Sequence, residues 1–480
     1  MFCNFKDYQT LPMNILHVSA ECYPIAKVGG LADVVGSLPK YQNKLGVTSE
    51  VVMPFYDNAF TKSNKFKTIS SSKVRLGVFD LDVNILMLEN NDLGFDLFLV
   101  DIPTLLFKDY VYSPNDTERF LAFQIAVLDW VLQKEKRPNV VHCHDHHTGL
   151  IPFMMDQCYK YSELKTVATI TTIHNAQYQG WFSHDKVYMI PEFDFTQVGL
   201  IDWNHQINPL AAAIKCAWKV TTVSPSYMEE LKSNANGLES LLSHESAKCV
   251  GILNGIDTQV WNTETDNYII KNYTQKTLDT GRKANKEWLC KEFGLDPKKP
   301  LFSFIGRLVG EKGADLFPQI FDAALHHLDI SILLLGSGQK DIEGALEMLT
   351  YKYKGDYSTY IGYDERLAHI IYAGADFLLM PSRVEPCGLN QMYALRYGTI
   401  PVVNSVGGLK DTVIDVEGGG FGFVHHQLNT ETVVETMQRA TELYDDQKEF
   451  NKIRNLIMQI DHSWDSSAKA YINLYKSLKK

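Results

Sequence analysis

The sequence predicts an α/β protein of two doubly wound lobes, and three observations lead there. Short β-branched runs alternate with amphipathic stretches, the pattern of parallel sheets covered by helices. The alternation pauses at a polar stretch between about Asn262 and Lys291 and then restarts, so that stretch reads as a linker. A chain of 480 residues also exceeds one ordinary core, and two domains of roughly 200 residues each are expected.

In the first half, the strand-like runs are Ile15 to Val18, Glu50 to Met53, Leu97 to Val100, Val140 to His142, Thr166 to Ile173, Val220 to Val223 and Val250 to Leu253. Val74 to Asp80 and Asp82 to Leu88 leave no room for a helix between them and predict a hairpin, with Asp80-Leu81-Asp82 at its turn. In the second half, Leu301 to Ile305, Ile330 to Leu335, Phe377 to Met380 and Pro401 to Asn404 read as strands, and Leu316 to Leu325 as a helix. Ligands of doubly wound sheets bind beyond the carboxyl ends of the strands, so the residues just after each run are the ones to inspect.

Composition narrows the class. Hydrophobic residues make up 45% and charged residues 21%, and no stretch approaches the roughly 18 apolar residues of a membrane helix, so a water-soluble protein is expected. The 46 Lys and Arg against 57 Asp and Glu give a net charge of -11, which disfavours nucleic acid and anionic membrane as partners. Eight cysteines without a CxxC pair predict reduced thiols and a cytoplasmic protein. Residues 1–12 lack the apolar core of a signal peptide and read as a short extension or an upstream start.

One motif occurs in each half: Val28-Gly29-Gly30-Leu31-Ala32-Asp33 and Val406-Gly407-Gly408-Leu409-Lys410-Asp411. Paired glycines ahead of a helix let backbone N–H groups approach an oxyanion, aided by the helix dipole. Either copy alone also reads as an ordinary strand-to-helix turn. In the first copy Lys27 precedes the glycines, where it could face a phosphate, with Asp33 in the first helical turn.

That loop resembles the lysine-glycine-glycine signature of bacterial glycogen synthases and plant starch synthases. The resemblance continues in order through Val141 to Gly149, Thr172 to Asn175, Tyr178 to Gly180, Lys219 to Pro225, Gly251 to Asp257, Phe304 to Leu308 and Ser382 to Leu389, and covers nearly everything from Met13 to Lys479. It implies a GT-B fold: two Rossmann-like lobes with a cleft between them and a C-terminal helix crossing back onto the first. The expected division is residues 13–255 on the acceptor side, 256–460 on the donor side, and 461–480 as the returning helix, opened by His462-Ser463-Trp464-Asp465.

Arg307 and Lys312 follow a strand, and their spacing brings two cations near one strand end, suited to a leaving diphosphate. The matching residues of the family bind the donor diphosphate. In Pro381 to Gln391 a helix is expected from about Gly388, whose free N–H groups make an anion site, and Glu385 lies just before it. The family makes Glu385 a sugar-site carboxylate and places Gly388, Leu389 and residue 390 at the donor. Two departures stand out: the position eight residues after Glu385, a second glutamate in many retaining relatives, is Tyr393, as in the glycogen and starch synthase branch; and residue 390, usually Thr, is Asn390. Cys387 is expected near the donor pocket and sensitive to thiol reagents.

His174 and Asn175 end a strand, and by resemblance His174 contacts the transferred glucose; Asp145 and Asn175 are assigned to the sugar or acceptor side. Asn254 and Tyr363 resemble nucleotide-contacting positions, and Lys27, Gly29, Gly30 and Asp33 complete the donor set. His142 to His147 tempts a zinc reading, but adjacent residues at a strand end point to opposite faces, and no metal or other cofactor is expected. The resemblance thus implies a hexosyltransferase moving glucose with retention from ADP-glucose, or UDP-glucose, to the non-reducing end of an α-1,4-glucan. Other readings are a different retaining GT-B glucosyltransferase, against which the Val141 to Gly149 and Ser382 to Leu389 blocks argue, and a catalytically weakened glucan-binding or regulatory protein, motivated by Asn390.

Overall fold

The computed structural model describes residues 13–478, and the extension expected at residues 1–12 lies outside them. The chain forms two compact units. The first contains the residues to Val223, Met228–Ile252 and the chain from Trp464; the second contains Ser224–Tyr227 and Leu253–Ser463.

The strands of the first unit are β1 (Asn14–Val18), β2 (Thr48–Pro54), β3 (Phe66–Leu76), β4 (Phe79–Leu88), β5 (Asp96–Asp101), β6 (Val140–His144), β7 (Ala168–Ile173), the short pair β8 (Asp202–Trp203) and β9 (Gln206–Ile207), β10 (Lys219–Thr222) and β11 (Cys249–Gly251). Nine of them form one sheet in the order β11-β10-β7-β6-β1-β2-β5-β4-β3. Every pairing is parallel except those of β4, which runs against β3 and β5. Chain order reverses between β1 and β6, which makes their carboxyl ends the switch point of this sheet. β1, β6 and β7 are buried along their whole length, as strands covered on both faces must be.

The helix Trp464–Ser477 joins this unit: Trp464, Ala468, Tyr471 and Tyr475 share a core with Ile15, Val34, Leu38 and Tyr41. The hairpin exists but turns earlier than its carboxylates suggested. Gly77, at φ 60°, and Val78 make the turn, and Asp80 and Asp82 sit within β4 opposite Arg75 and Lys73. The cross-strand cations explain this placement, since opposite charges on facing positions favour the pairing.

The second unit holds β12 (Leu301–Leu308), β13 (Ser331–Gly338), β14 (Tyr357–Ile361), β15 (Phe377–Met380), β16 (Ile400–Asn404) and β17 (Phe423–His425), all parallel, in the order β14-β13-β12-β15-β16-β17. Its switch point lies between β12 and β15. The polar stretch expected as a linker is partly a helix, Leu278–Phe293, whose charged residues are used inside the unit. Arg282 is buried and donates to the carbonyls of Tyr372, Ala375 and Tyr397, and Lys286 pairs with Asp376 at 2.6 Å. Polarity therefore misreported exposure here, because those cations satisfy carbonyls at strand and helix ends. No helix among the described residues is long and apolar enough to cross a membrane, and the seven described cysteines are unpaired.

Candidate active site

At the first switch point the chain leaves β1 and forms a loop before the helix Gly30–Lys44. Glu21, nearly fully buried, organises that loop. One carboxylate oxygen accepts from the N–H groups of Val28 (2.6 Å) and Gly29 (2.9 Å), and the other accepts from the Tyr112 hydroxyl. Gly29 is the helix N-cap without a capping side chain. A Cβ built on Gly29 or Gly30 would meet nothing within 4 Å. Lys27 extends past the loop and pairs with Asp33 at 2.7 Å.

Beneath the loop lies a row of histidines. Alternate residues of a strand share a face, so His142 and His144 of β6 point the same way, beside His17 of β1 in register with His142. The sequence-based objection that neighbouring side chains scatter holds only for adjacent positions. His17, His142 and His144 bring ring nitrogens within 4.8 Å of one another. All six nitrogens nevertheless have protein partners: His17 meets Gln42 and His144, His144 meets His174, and His142 meets Tyr475 and Thr172. No lone pairs are left converging on a shared point, so the donor set does not fit a metal ion. Burial holds the His17 ring down at about 4 and the His174 ring at about 3, and pushes His142 and His144 well below the ordinary range. The row is neutral.

His174 follows β7, and its N–H donates to Asp145 Oδ1 at 2.7 Å. Asp145 ends β6 at φ 56°, a conformation that few residues other than glycine adopt. Desolvation pushes its carboxyl up to about 7 against the N–H bonds of His174 and Asn175. Asn175 closes its own turn, its Oδ1 accepting from Gln177 N–H.

At the second switch point Lys312 donates to both oxygens of Glu385, at 2.7 Å each, and Ser382 Oγ donates to one of them at 2.9 Å. Arg307 at the end of β12 is largely exposed and only 3.3 Å from Glu311. The helix Asn390–Tyr397 starts after Gly388, at φ 71°, and Leu389 caps it without a side-chain bond. Its first-turn N–H groups have no intrahelical acceptor. Asn390 turns its side chain back onto β12, donating to Ile305 O at 2.7 Å, so the amide that replaces the expected threonine is used to hold the helix start.

The second glycine pair supports this loop rather than an anion. Gly408 N–H donates to Glu385 O at 3.0 Å. A Cβ on Gly407 would lie 2.1 Å from Glu385 O, and one on Gly408 2.0 Å from Cys387 O. Cys387 is buried and its thiol is pushed up to about 12 by desolvation, which disfavours the thiolate. The Asn254 N–H donates to that thiol, while Asn254 Oδ1 is buried without a partner among the described residues. Tyr363 is 80% exposed.

The second unit thus brings together Arg307, Lys312, Glu385, Cys387, Gly388, Leu389, Asn390 and Asn254, and the first unit gathers Lys27, Gly29, Gly30 and Asp33 in one loop and Asp145, His174 and Asn175 at adjacent strand ends. Sequence reasoning missed Glu21, Tyr112, His17, Gln42 and Tyr475. Glu21 had a signal, a lone carboxylate just beyond a buried strand; Gln42 and Tyr475 had none, because each reads as one polar residue of an amphipathic helix.

Residues 14–244 match the family model described as starch synthase catalytic domain, and residues 285–455 match glycosyl transferases group 1. A glycogen synthase of Flavobacterium johnsoniae is 53% identical over 96% of this chain and 98% of its own. One of Bacillus cereus is 37% identical over 97% of this chain and 100% of its own. The catalytic domain of starch synthase IV from Arabidopsis thaliana, solved with ADP and acarbose bound, superposes with a TM-score of 0.88 at 31% identity, covering 97% of this chain and 99% of that one. A sucrose-phosphate synthase of Thermosynechococcus elongatus shares the fold at a TM-score of 0.63 and 16% identity, covering 97% of this chain and 98% of that one.

Proposed function

The chain belongs to the glycogen and starch synthase family, a family of GT-B hexosyltransferases, and on that premise we propose how its residues divide the reaction: retaining transfer of glucose from ADP-glucose to the non-reducing end of an α-1,4-glucan, in the cytoplasm. The observation that carries the assignment is the second switch point, where Lys312 holds Glu385 beside the uncapped start of the helix Asn390–Tyr397. A cation next to free N–H groups suits a diphosphate, and a fixed carboxylate suits sugar hydroxyls.

Arg307 and Lys312 neutralise the departing nucleoside diphosphate, with the N–H groups from Gly388 to Asn390 completing its cradle. The bond from the glucose anomeric carbon to phosphate breaks while the glucan 4-oxygen bonds to the same face of that carbon. The proton of the 4-hydroxyl passes to the departing phosphate oxygen, so the leaving group acts as base. Stabilising that leaving group is then the main catalytic term. Glu385 orients the sugar, His174, Asp145 and Asn175 contact sugar or acceptor, and Asn254, Tyr363 and Cys387 line the nucleotide side. Lys27 exchanges Asp33 for phosphate when donor binds, next to Gly29 and Gly30.

Arg307→Ala is expected to lower kcat by about 10²–10³, read as glucose incorporation into glycogen; an unchanged rate overturns the leaving-group account. The same assay with ADP-glucose against UDP-glucose decides the donor, and ADP-glucose is expected to be preferred.

A further inference from the structure

We propose that Gln42 is a positioning residue for His174: acting through His17 and His144, it holds the His174 ring as the Nε2–H form and leaves Nδ1 bare, an acceptor for a hydroxyl of the transferring sugar. The sugar role of His174 is taken from the reading above; the relay stands on geometry alone.

The chain of bonds begins at Gln42, buried in the helix Gly30–Lys44. One end of its amide lies 2.5 Å from Ser49 Oγ and 2.9 Å from His17 Nε2, and the other lies 3.0 Å from the Tyr475 hydroxyl. The end facing Ser49 and His17 is the carbonyl oxygen, and the end facing Tyr475 is the amide nitrogen. A carbonyl only accepts. His17 Nε2 therefore carries the proton and donates, which in a neutral imidazole leaves His17 Nδ1 bare.

His17 Nδ1 lies 3.1 Å from His144 Nε2. With a bare nitrogen on one side, His144 Nε2 must donate, and His144 Nδ1 is bare in turn. That atom is 3.0 Å from His174 Nε2, which donates for the same reason. Each histidine-to-histidine bond needs one protonated and one bare nitrogen, so the setting propagates without loss. Reversing the Gln42 amide would reverse every member and present an N–H at His174 Nδ1 instead.

The second arm agrees in direction. The Gln42 amide nitrogen donates to the Tyr475 hydroxyl, which donates to His142 Nδ1 at 2.8 Å, and His142 Nε2 donates to Thr172 Oγ1 at 2.6 Å. Tyr475 lies on the C-terminal helix, so that helix helps to fix the amide. The low ring pKa values set by burial keep the row neutral near pH 7, as the alternation requires.

Ring-15N histidine labelling with two-bond proton correlation reports which nitrogen carries each proton, and loss of one signal set in His174→Gln assigns the residue. The full-length enzyme at pH 7.5 is expected to show His174 with Nε2 protonated and Nδ1 bare; the opposite form or a charged ring overturns the relay. This reading needs no altered chain beyond the one used for assignment. Gln42→Leu removes the fixed carbonyl, so both forms should appear at His174 and kcat/KM for the nucleotide sugar should fall about tenfold. A single Nε2–H form retained in Gln42→Leu also overturns the proposal. Unchanged kcat/KM in His174→Gln would instead remove the sugar role, while the wild-type spectrum still judged the relay.

Discussion

The two Val-Gly-Gly-Leu turns look interchangeable as sequence and are used in opposite ways. At Gly29 and Gly30 the space where a side chain would stand is open, and the backbone is tied down from beneath by the Glu21 carboxylate. At Gly407 and Gly408 the same space is filled by the carbonyls of Glu385 and Cys387. The first pair keeps room for a ligand; the second lets one loop of the protein lie against another. A glycine's role is thus set by what approaches it, which its neighbours in sequence do not record.

The strand ends beneath the turns differ as well. In the first unit the strands beneath the loop carry three buried neutral histidines, with a fourth, His174, just after β7; in the second the loop carries the Lys312–Glu385 pair. Acid should separate them most strongly. Histidines in the unfolded chain take up protons as pH falls below 6.5, whereas folded His17 and His174 wait until about 4 and 3. The unfolded state thus binds more protons in that window, so their contribution to stability is complete above 6.5 and is lost as pH falls toward 4, at about 1.4 kcal/mol per pH unit for each ring. Asp145, raised to about 7, works in the other direction and offsets one of them. Hydrogen exchange between pH 7 and 4.5 should show β1, β6 and β7 losing protection before β12 and β15. Simultaneous loss would break the contrast between the units.

Substitution of the glycines tests the turns directly. Gly408→Ala and Gly407→Ala force a Cβ onto a backbone carbonyl, and Gly407 is also at φ 44°. A stability loss of about 2–4 kcal/mol is expected, with transfer activity lost through the displaced Glu385 loop. Gly29→Ala meets no atom and should cost less than about 1 kcal/mol. Its effect should instead fall on the KM for nucleotide sugar. Denaturant midpoints and kinetics of the two variants, measured side by side, check this, and equal stability losses would contradict it.

Much of the frame was legible in the sequence, and the reason is physical. Parallel strands buried on both faces must be apolar runs, so β1, β6, β7, β12 and β15 announced themselves, and ligand-binding residues must follow such runs, which marked His174, Arg307 and Lys312. What stayed hidden depends on contacts between distant residues. Arg282 reads as a linker cation until the carbonyls of Tyr372, Ala375 and Tyr397 are seen around it. β14 and β17 were missed because each mixes polar residues into a short edge run. Gln42 lies 433 positions from Tyr475, and only the return of the final helix to the first unit joins them.

The smallest expected effect separates the aspartates that end the two motifs. Asp33 is partly exposed and pairs with Lys27, itself 46% exposed, a class of ion pair worth about 0–1 kcal/mol. Asp411 instead accepts from the N–H and hydroxyl of Ser226, at 2.9 and 2.7 Å, within the second unit. Loss of such hydrogen bonds costs about 1 kcal/mol. Asp411→Ala should therefore lower the denaturation midpoint with the KM for nucleotide sugar little changed, and Asp33→Ala should leave the midpoint in place while shifting that KM, because Lys27 loses its resting partner. If Asp33→Ala changed only stability, the first turn would be a structural element like the second, and the open space over its glycines would have no bearing on the donor.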